Sequence, residues 1–279
     1  MDQEPLDQIH LEPASPQKLP VLFVGHGSPM NAIEDNRFSR AWRELGASLP
    51  RPAAILCVSA HWETWGSAVT AMRQPRTIHD FGGFPRELYE AQYPAPGAPF
   101  LAERVCELLE LGAAGLDQDW GLDHGTWSVL KQMFPRADIP VVQLSLDYTK
   151  KGSDHYALAK ALRPLREEGV LILGSGNMVH NLRLVEFKGG NFRDFNEPFA
   201  FDWAVEAQAV FKRLIDAGHH KELAKYPTLG KAVQLAVPTP EHFLPLLYAL
   251  AQQGPGEAVT YFNDQPVAGS LTMTSIIIQ

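Results

Sequence analysis

Short apolar runs alternate with longer amphipathic runs along this chain. Runs with the β-branched, apolar character of strands lie at residues 20–25, 53–59, 67–72, 139–146, 169–174, 258–263 and 269–278. Helical periodicity predicts helices at residues 35–48, 98–112, 125–134, 153–168, 197–217 and 240–253. The runs at 20–25, 53–59 and 169–174 are almost wholly apolar, as is typical of strands covered on both faces. The pattern predicts an α/β fold with a mostly parallel central sheet flanked by helices, and the last two strand runs are close enough to pair at one edge.

Composition limits the domain organisation and the partners. The 279 residues, 45% of them hydrophobic, suffice for one large domain, and no Ser/Gly-rich or charged linker divides them. We therefore expect a loosely held tail at residues 1–18 and a single domain at residues 19–279. The net charge of −8 and the lack of a run rich in Lys or Arg argue against nucleic acid or an anionic membrane as partner.

The N-terminal residues and the cysteines indicate where in the cell the protein is expected. The first residues are acidic and lack the apolar segment of a secretory signal, and no stretch reaches the roughly 20 apolar residues of a membrane span. Cys57 and Cys106 are too few for a disulfide framework, and each falls inside a predicted element as a small buried hydrophobe. The sequence predicts a protein of the reducing cytoplasm.

Three histidines follow strand runs at the point where each run breaks into small or turn residues. His26 lies in Val-Gly-His-Gly-Ser-Pro, His61 in Val-Ser-Ala-His-Trp and His180 in Gly-Asn-Met-Val-His-Asn. Ligands of open α/β sheets gather beyond the carboxyl ends of the strands, and neutral imidazole is the commonest metal ligand in proteins. These positions predict a metal centre at that edge of the sheet.

A further ligand is expected from the segment Val-Pro-Thr-Pro-Glu-His-Phe at residues 237–243. Thr239 fits an N-cap and Pro240 the first helical position, which puts Glu241 and His242 in the first turn of the predicted helix. Because neighbouring helical residues point about 100° apart, only one of the two is expected to coordinate. Glu241 would complete the two-His, one-carboxylate set of Fe(II) enzymes, whereas His242 would give a three-His site, and the pattern leaves both open.

Two loops have compositions typical of functional loops. One, at residues 77–97, holds Thr-Ile-His-Asp-Phe-Gly-Gly-Phe-Pro, and the other carries Asp123 and His124 directly before a predicted helix. His79, Phe81 and Trp62 are candidates for substrate contact, with core packing as the alternative for the two aromatic residues.

The remaining histidines fall into two sets. His124 and His180 are candidates for further metal ligands or for acid/base groups beside the metal. The others lie in the N-terminal tail or in polar helical surroundings and are expected to be solvated; they are His10, His155, His219 and His220.

Six motifs together resemble the class III (LigB-like) extradiol ring-cleavage dioxygenases, and more narrowly the DOPA 4,5-dioxygenase group. The likeness runs in the same motif order from about residue 20 to the C-terminus. The motifs are Gly25-His-Gly-Ser-Pro-Met, Ser59-Ala-His-Trp, Thr77-Ile-His-Asp-Phe-Gly-Gly-Phe-Pro, Asp123-His-Gly-Thr-Trp, Gly176-Asn-Met-Val-His-Asn-Leu and Pro238-Thr-Pro-Glu-His-Phe-Leu-Pro-Leu.

The resemblance implies a LigB-like catalytic domain at residues 19–279 with one non-haem metal ion. His26 and His61 match the family's two metal histidines, and His242 matches the third ligand of the DOPA group. Glu241 remains the rival because the wider class uses a glutamate. His124 and His180 match the family's two acid/base histidines, with His180 as the expected base, His124 as the expected acid, and His180 also a potential additional ligand.

The implied reaction is cleavage of a DOPA-like catechol at its 4,5 bond by O2, giving a muconic semialdehyde-type product. The implied partners are thus a small aromatic diol and O2, with the protein a monomer or small homo-oligomer. Fe(II) is the implied cofactor for activity, with Zn(II) as a metal that some bacterial members hold when isolated. A zinc-dependent hydrolase and a non-catalytic metal-binding module on the same scaffold are the alternatives.

Overall fold

The structure is a computed structural model that describes residues 18–110, 113–190 and 195–279. All of the expected tail except Lys18, and the end of the helix predicted at 98–112, lie outside the described residues. The strands are β1 Val21–Gly25, β2 Ala54–Thr64, β3 Ser67–Thr70, β4 Ala114–Asp117, β5 Val141–Asp147, β6 Val170–Gly176, β7 Val259–Phe262, β8 Pro266–Val267, β9 Leu271–Thr272 and β10 Ser275–Ile278. The α-helices are α1 Arg37–Ser48, α2 Arg86–Glu90, α3 Pro99–Leu108, α4 His124–Met133, α5 Gly152–Ala159, α6 Asp202–Asp216, α7 His220–Leu223, α8 Lys231–Ala236 and α9 Leu244–Leu250.

Eight strands form one sheet in the order β4-β3-β5-β2-β6-β1-β10-β7. Its centre is parallel, because β5, β2, β6 and β1 run in the same direction. On the two sides, β3 lies antiparallel to β5 and β10 antiparallel to β1. The edge strand β7 pairs antiparallel with β10, so the last two strand runs pair as predicted.

The sheet separates two apolar cores. Along β1, Val21 and Phe23 point into one core while Leu22 and Val24 point into the other, as the pleat of a strand requires. Both faces of the central strands are therefore buried, which explains why their sequences are almost continuously apolar. The single α/β domain with a mostly parallel sheet confirms the predicted fold class.

Several predicted elements have different limits in the structure. The run at 269–278 is split into β9 and β10, and the helix predicted at 153–168 is α5 followed by a 3-10 helix at Lys160–Arg166. The helix predicted at 240–253 begins only at Leu244. Pro245 explains this late start, since proline lacks the backbone N–H that a helix interior needs and is tolerated in a first turn. Among the described residues, no helix combines the length and the apolar character needed to cross a bilayer.

Candidate metal centre

The parallel strands β1 and β2 bring His26 and His61 together. His26 directly follows β1, and its backbone N–H donates to the carbonyl of Gly176 at 3.0 Å. His61 lies inside β2 rather than after it, because the strand predicted at 53–59 continues to Thr64. Its pairing with β5 shifts register between Val58 and Glu63. Such a bulge re-aims the side chains within it, and Nε2 of His61 lies 3.2 Å from Nε2 of His26.

The C-terminal half contributes His242 from the turn that precedes α9, not from a helical turn as predicted. The carbonyl of His242 accepts from the backbone N–H of Asn177 at 2.8 Å, which fixes this turn against the end of β6. Gly176 makes the approach possible, since a Cβ there would lie 2.1 Å from the carbonyl oxygen of His242.

His26, His61 and His242 form a nearly equilateral triangle. Their ring centroids are 5.0, 5.3 and 5.0 Å apart. Imidazoles that share one tetrahedral ion at about 2.0–2.1 Å place their nitrogens about 3.3 Å apart and their centroids about 5 Å apart. The triangle, and the 3.2 Å between the Nε2 atoms of His26 and His61, fit that geometry.

A second observation supports the same three residues: an oxygen atom lies beside Nδ1 of each ring. Nδ1 of His26 is 3.0 Å from Ser175 Oγ, whose own hydroxyl donates to the carbonyl of Gly125 at 2.5 Å. Ser175 must therefore accept from Nδ1–H of His26, which leaves Nε2 with a free lone pair. Ligating histidines in metalloproteins are oriented in this way by their second nitrogen.

In the rings of His242 and His61, the oxygen atom beside Nδ1 belongs to a carboxylate. Nδ1 of His242 lies 3.1 Å from Glu241 Oε1, which also accepts from the Thr239 hydroxyl at 2.9 Å. Nδ1 of His61 lies 3.4 Å from Asp80 Oδ2. Glu241 thus orients the ring of His242, and this contact favours His242 over Glu241 as the third ligand.

Burial keeps these imidazoles neutral. Desolvation, reinforced by the neighbouring imidazoles, holds the pKa of His26 and of His242 well below the usual value. The pKa of His61 falls to about 3, again chiefly through desolvation. Neutral imidazoles offer lone pairs to a cation, so the electrostatics of this site suit a metal ion.

His124 and His180 lie directly beside the triangle. The ring of His180 stacks on that of His242 with centroids 3.5 Å apart, and the ring of His124 lies 3.9 Å from that of His61. Ligand atoms of His26, His61 and His124 all lie within 4.8 Å of one another, as do those of His180, Glu241 and His242. Proximity alone therefore allows other ligand sets. Nδ1 of His124 also lies beside an oxygen atom, so the nearly equal spacing of the three rings is what distinguishes His26, His61 and His242.

Two carboxylates fix the position of His124, the first residue of α4. Asp123 caps this helix, is fully buried and accepts from Ser59 Oγ at 2.6 Å and Gln143 Nε2 at 2.7 Å. Asp80 Oδ1 accepts from the backbone N–H of His124 at 2.9 Å and lies 3.0 Å from its Nδ1.

Asp80 is the site residue that the sequence analysis missed. Burial alone would raise the pKa of Asp80, but the contacts with His124 and His61 outweigh it and lower the pKa. The ionised carboxylate therefore links a ring of the triangle to the neighbouring His124. Its position beside His79 in an aromatic, glycine-rich loop is the signal in the sequence that could have indicated it.

A cavity of about 420 Å³ opens over the histidines. Phe81, a candidate for substrate contact, lines it. His79 and Trp62 are not among the described residues that line it. His79 Nε2 is hydrogen-bonded to the carbonyl of Ala91 at 2.8 Å, and Trp62 stacks on Trp120 with centroids 5.6 Å apart. The apolar lining residues are Pro29, Phe81, Phe84, Leu182, Val185, Phe187, Phe195 and Leu271.

The expectation that His155 and His220 are solvated is wrong. His155 is fully buried where α5 packs on α9, and His220 at the start of α7 is also buried. Their polar sequence neighbours concealed this, because the packing partner of a short helix lies far away in the chain. His219 is exposed as expected, and His10 lies outside the described residues.

Comparison with known proteins agrees with the fold. The family described as the catalytic LigB subunit of aromatic ring-opening dioxygenase matches residues 20–266. The chain therefore belongs to the LigB family of ring-opening dioxygenases, which are oxygenase enzymes.

Individual relatives narrow the comparison. The chain is 45% identical to the 4,5-DOPA dioxygenase extradiol of Escherichia coli (strain K12), over 95% of this chain and 96% of the relative. It is 41% identical to the protein of the same name from Beta vulgaris, over 84% of this chain and 86% of the relative. The crystal structure of an uncharacterized protein from Escherichia coli K12 matches with a TM-score of 0.78 and 41% identity, covering 94% of this chain and all of that one.

Proposed function

We propose that this protein is a metal-dependent extradiol dioxygenase that opens the ring of a DOPA-like catechol with O2 by 4,5-cleavage. The product is a muconic semialdehyde-type compound. The observation that carries the proposal is the triangle of His26, His61 and His242, whose rings are nearly equally spaced and each have an oxygen atom beside Nδ1. The names of the relatives from Escherichia coli and Beta vulgaris support DOPA as the substrate.

The donor set fits a single divalent ion. Three neutral imidazoles would hold Fe(II) for activity, and the same nitrogen donors also suit Zn(II). When bound, Fe(II) supplies open positions for the two catechol oxygens and for O2, together with the redox chemistry of ring opening.

His180 is suited to accept the proton that a catechol hydroxyl loses on binding. Its ring lines the cavity beside His242, and desolvation lowers its pKa to about 4. At neutral pH it is therefore unprotonated and able to act as a base. The stacking contact holds its ring parallel to that of His242, with an interplanar angle of 9°.

His124 is suited to return a proton to an oxygen atom of the opening ring. Its ring lines the same cavity, and Asp80 holds its Nδ1 edge. That carboxylate balances the positive charge that the imidazole carries while it holds a second proton. Asp80 acts here as a positioning residue, since it also contacts the Nδ1 edge of His61.

The apolar walls complete the site. Phe81 lies edge-on to His124 with centroids 5.5 Å apart, and it packs against Phe84. Walls of this kind hold an aromatic ring over the histidines and keep bulk water away from the reacting carbons.

Anaerobic reconstitution tests the proposal. Metal-free protein is loaded with Fe(II) or Zn(II), DOPA is added, and air is admitted while O2 uptake and the yellow product are recorded. We expect turnover with Fe(II) and none with Zn(II). The variant His219→Ala, which changes an exposed histidine, is the matched control and should retain turnover.

Two results would contradict the proposal. Absence of O2 uptake across a panel of catechols with fully Fe(II)-loaded protein would remove the dioxygenase assignment. Hydrolysis of ester or amide probes by the Zn(II) form, with no ring cleavage by the Fe(II) form, would assign the site to a zinc hydrolase instead.

A further inference from the structure

A second cavity, here called the outer chamber, lies beside the cavity over the histidines. It has a volume of about 550 Å³ and shares Ser28, Phe84 and Phe195 with the inner cavity. Its other described lining residues are Met30, Glu34, Gly83, Pro85 and Asn196. Because three residues line both spaces, the two cavities are adjacent, and a substituent on a ring held in the inner cavity would have to pass these residues to reach the outer chamber.

Glu34 is the one charged residue among the described residues that line the outer chamber. Its Oε2 accepts from the side-chain amides of Asn36 and Asn196, each at 3.3 Å. Within the described part of the chain, no basic nitrogen lies within 4.0 Å of this carboxylate. Arg37, three residues further on, instead donates to Gln265 and to the carbonyl of Asn196. The chamber thus presents a negative charge without an ion-pair partner.

A second acceptor lies at the same place. Asn196 Oδ1 is buried and has no hydrogen-bond partner in the described structure. A buried acceptor without a donor is costly, and a ligand that brings donors relieves that cost. A carboxylate together with an unpaired amide oxygen is complementary to a group that has several N–H donors and a positive charge.

The described lining of the inner cavity has no lysine or arginine that could offset this negative charge, and Asp80 adds a second acidic group. A negatively charged ring substituent would therefore find no counter-ion on the described walls of either cavity.

We infer that the outer chamber binds a primary ammonium group on the ring substituent of the catechol, with Glu34 as its counter-ion. The substrate class is an aminoalkyl catechol, which includes amino acids and simple amines that carry the catechol ring. Glu34 is then a specificity-determining residue. The inference rests on the proposed function for the placement of the ring.

The test compares catechols that differ in one group. Dopamine carries an ammonium group, 4-ethylcatechol carries none, and dihydrocaffeate carries a carboxylate. Binding to the Fe(II)-loaded protein is titrated without O2, and kcat/KM for ring cleavage is then measured in air. The preference for dopamine over 4-ethylcatechol is expressed as the ratio of their association constants and as the ratio of their kcat/KM values. We expect both ratios to fall about tenfold in Glu34→Gln.

Two further variants sharpen the test. Glu44→Gln changes an exposed glutamate of α1 outside both cavities and should keep the wild-type ratio. Glu34→Lys should shift the preference toward dihydrocaffeate, because it reverses the charge in the chamber.

The outcomes separate this inference from the proposed function. An unchanged ratio in Glu34→Gln, or a wild-type preference for dihydrocaffeate over dopamine, would overturn the inference even if ring cleavage is normal. Selective binding of dopamine that depends on Glu34, without cleavage of any catechol, would support the inference while it contradicts the proposed function.

Discussion

Two buried histidines of this molecule, His26 and His155, differ in what their nitrogens meet. His155 is fully buried between Tyr248 and β5, with Nδ1 at 2.9 Å from the Tyr248 hydroxyl and Nε2 at 3.2 Å from the carbonyl of Asp147. His26 is almost as buried, but only its Nδ1 has an oxygen partner, and its Nε2 faces the Nε2 of His61. Burial lowers the pKa of both.

The difference shows which property marks a ligand. Burial and a lowered pKa are common to a structural histidine and a metal-binding one. A ring nitrogen that faces another ring nitrogen, with no oxygen partner, distinguishes His26 from His155, and two such nitrogens repel each other unless a cation or a proton lies between them. The following predictions test this distinction, beginning with the largest effect.

Loss of the imidazole of His26 should affect metal binding, whereas loss of the imidazole of His155 should affect stability. His26→Ala should lower metal affinity by more than 100-fold and abolish turnover, because it removes a direct ligand. His155→Ala should retain the metal but lose about 2–4 kcal/mol of unfolding free energy, since it leaves a cavity and an unpaired Tyr248 hydroxyl. Metal analysis and urea unfolding measure the two effects. Full metal content in His26→Ala would contradict the assignment.

Substitutions at the adjacent residues Glu241 and His242 test which of the two is the third metal ligand. His242→Ala should lose the metal almost completely, whereas Glu241→Gln should retain it with affinity reduced about 10- to 100-fold, as expected for a residue that orients a ligand. Equilibrium dialysis against Fe(II) and Zn(II) measures both. A greater loss in Glu241→Gln than in His242→Ala would make Glu241 the ligand.

His180→Ala should separate metal binding from catalysis. The variant should hold one metal ion per chain and lose about 10²- to 10⁴-fold in kcat, the range for loss of a general base. Metal content and O2 uptake are measured on the same sample. Turnover at the wild-type rate would exclude His180 as the base, and loss of the metal would show that it is a ligand.

Asp80→Asn should have a milder effect, because Asp80 acts through other side chains. We expect kcat to fall about 10- to 100-fold with the metal retained, and the pH profile of kcat to change shape, because the charge beside His124 is lost. A purely structural role would lower stability and leave the pH profile unchanged. Asp80→Glu, which keeps the charge, should recover part of the activity.

The smallest effect concerns the pH dependence of stability. The pKa of His155 is lowered in the folded protein, chiefly by desolvation, so only the unfolded chain takes up its proton just below pH 6.5. Its contribution to stability is complete above pH 6.5 and is lost as the pH falls below that value. His155→Gln should therefore flatten the acid side of the stability curve by at most about 1.4 kcal/mol per pH unit. Urea unfolding from pH 7.5 to 5 measures this slope, and the exposed His219→Gln should leave it unchanged.

Much of this architecture was predictable because strand periodicity and turn residues are local signals. They placed His26 and His180 after strands and His124 at a helix start, and the motif order indicated the family. The α/β class followed from the alternation of strands and helices. None of these predictions needed knowledge of contacts between distant residues.

The remaining features depend on such contacts. The bulge that holds His61 arises from the pairing of β2 with β5, and the burial of His155 arises from packing against Tyr248. The choice between His242 and Glu241 depends on a contact between two adjacent side chains, and Asp80 was overlooked because its partners lie 19 and 44 residues away in the chain.

The close packing around Gly125 and Gly176 has a consequence for how new substrates can be accommodated. A Cβ on Gly125 would lie 2.5 Å from Ser59 Oγ and 2.9 Å from His61 Cδ2, as one on Gly176 would crowd the turn of His242. The spacing of the three rings proposed to bind the metal is thus set by backbone that has no room for side chains. The phenylalanine walls and Glu34 lie on other segments, so redesign toward other ring substituents can begin there while the spacing of the three histidine rings stays intact.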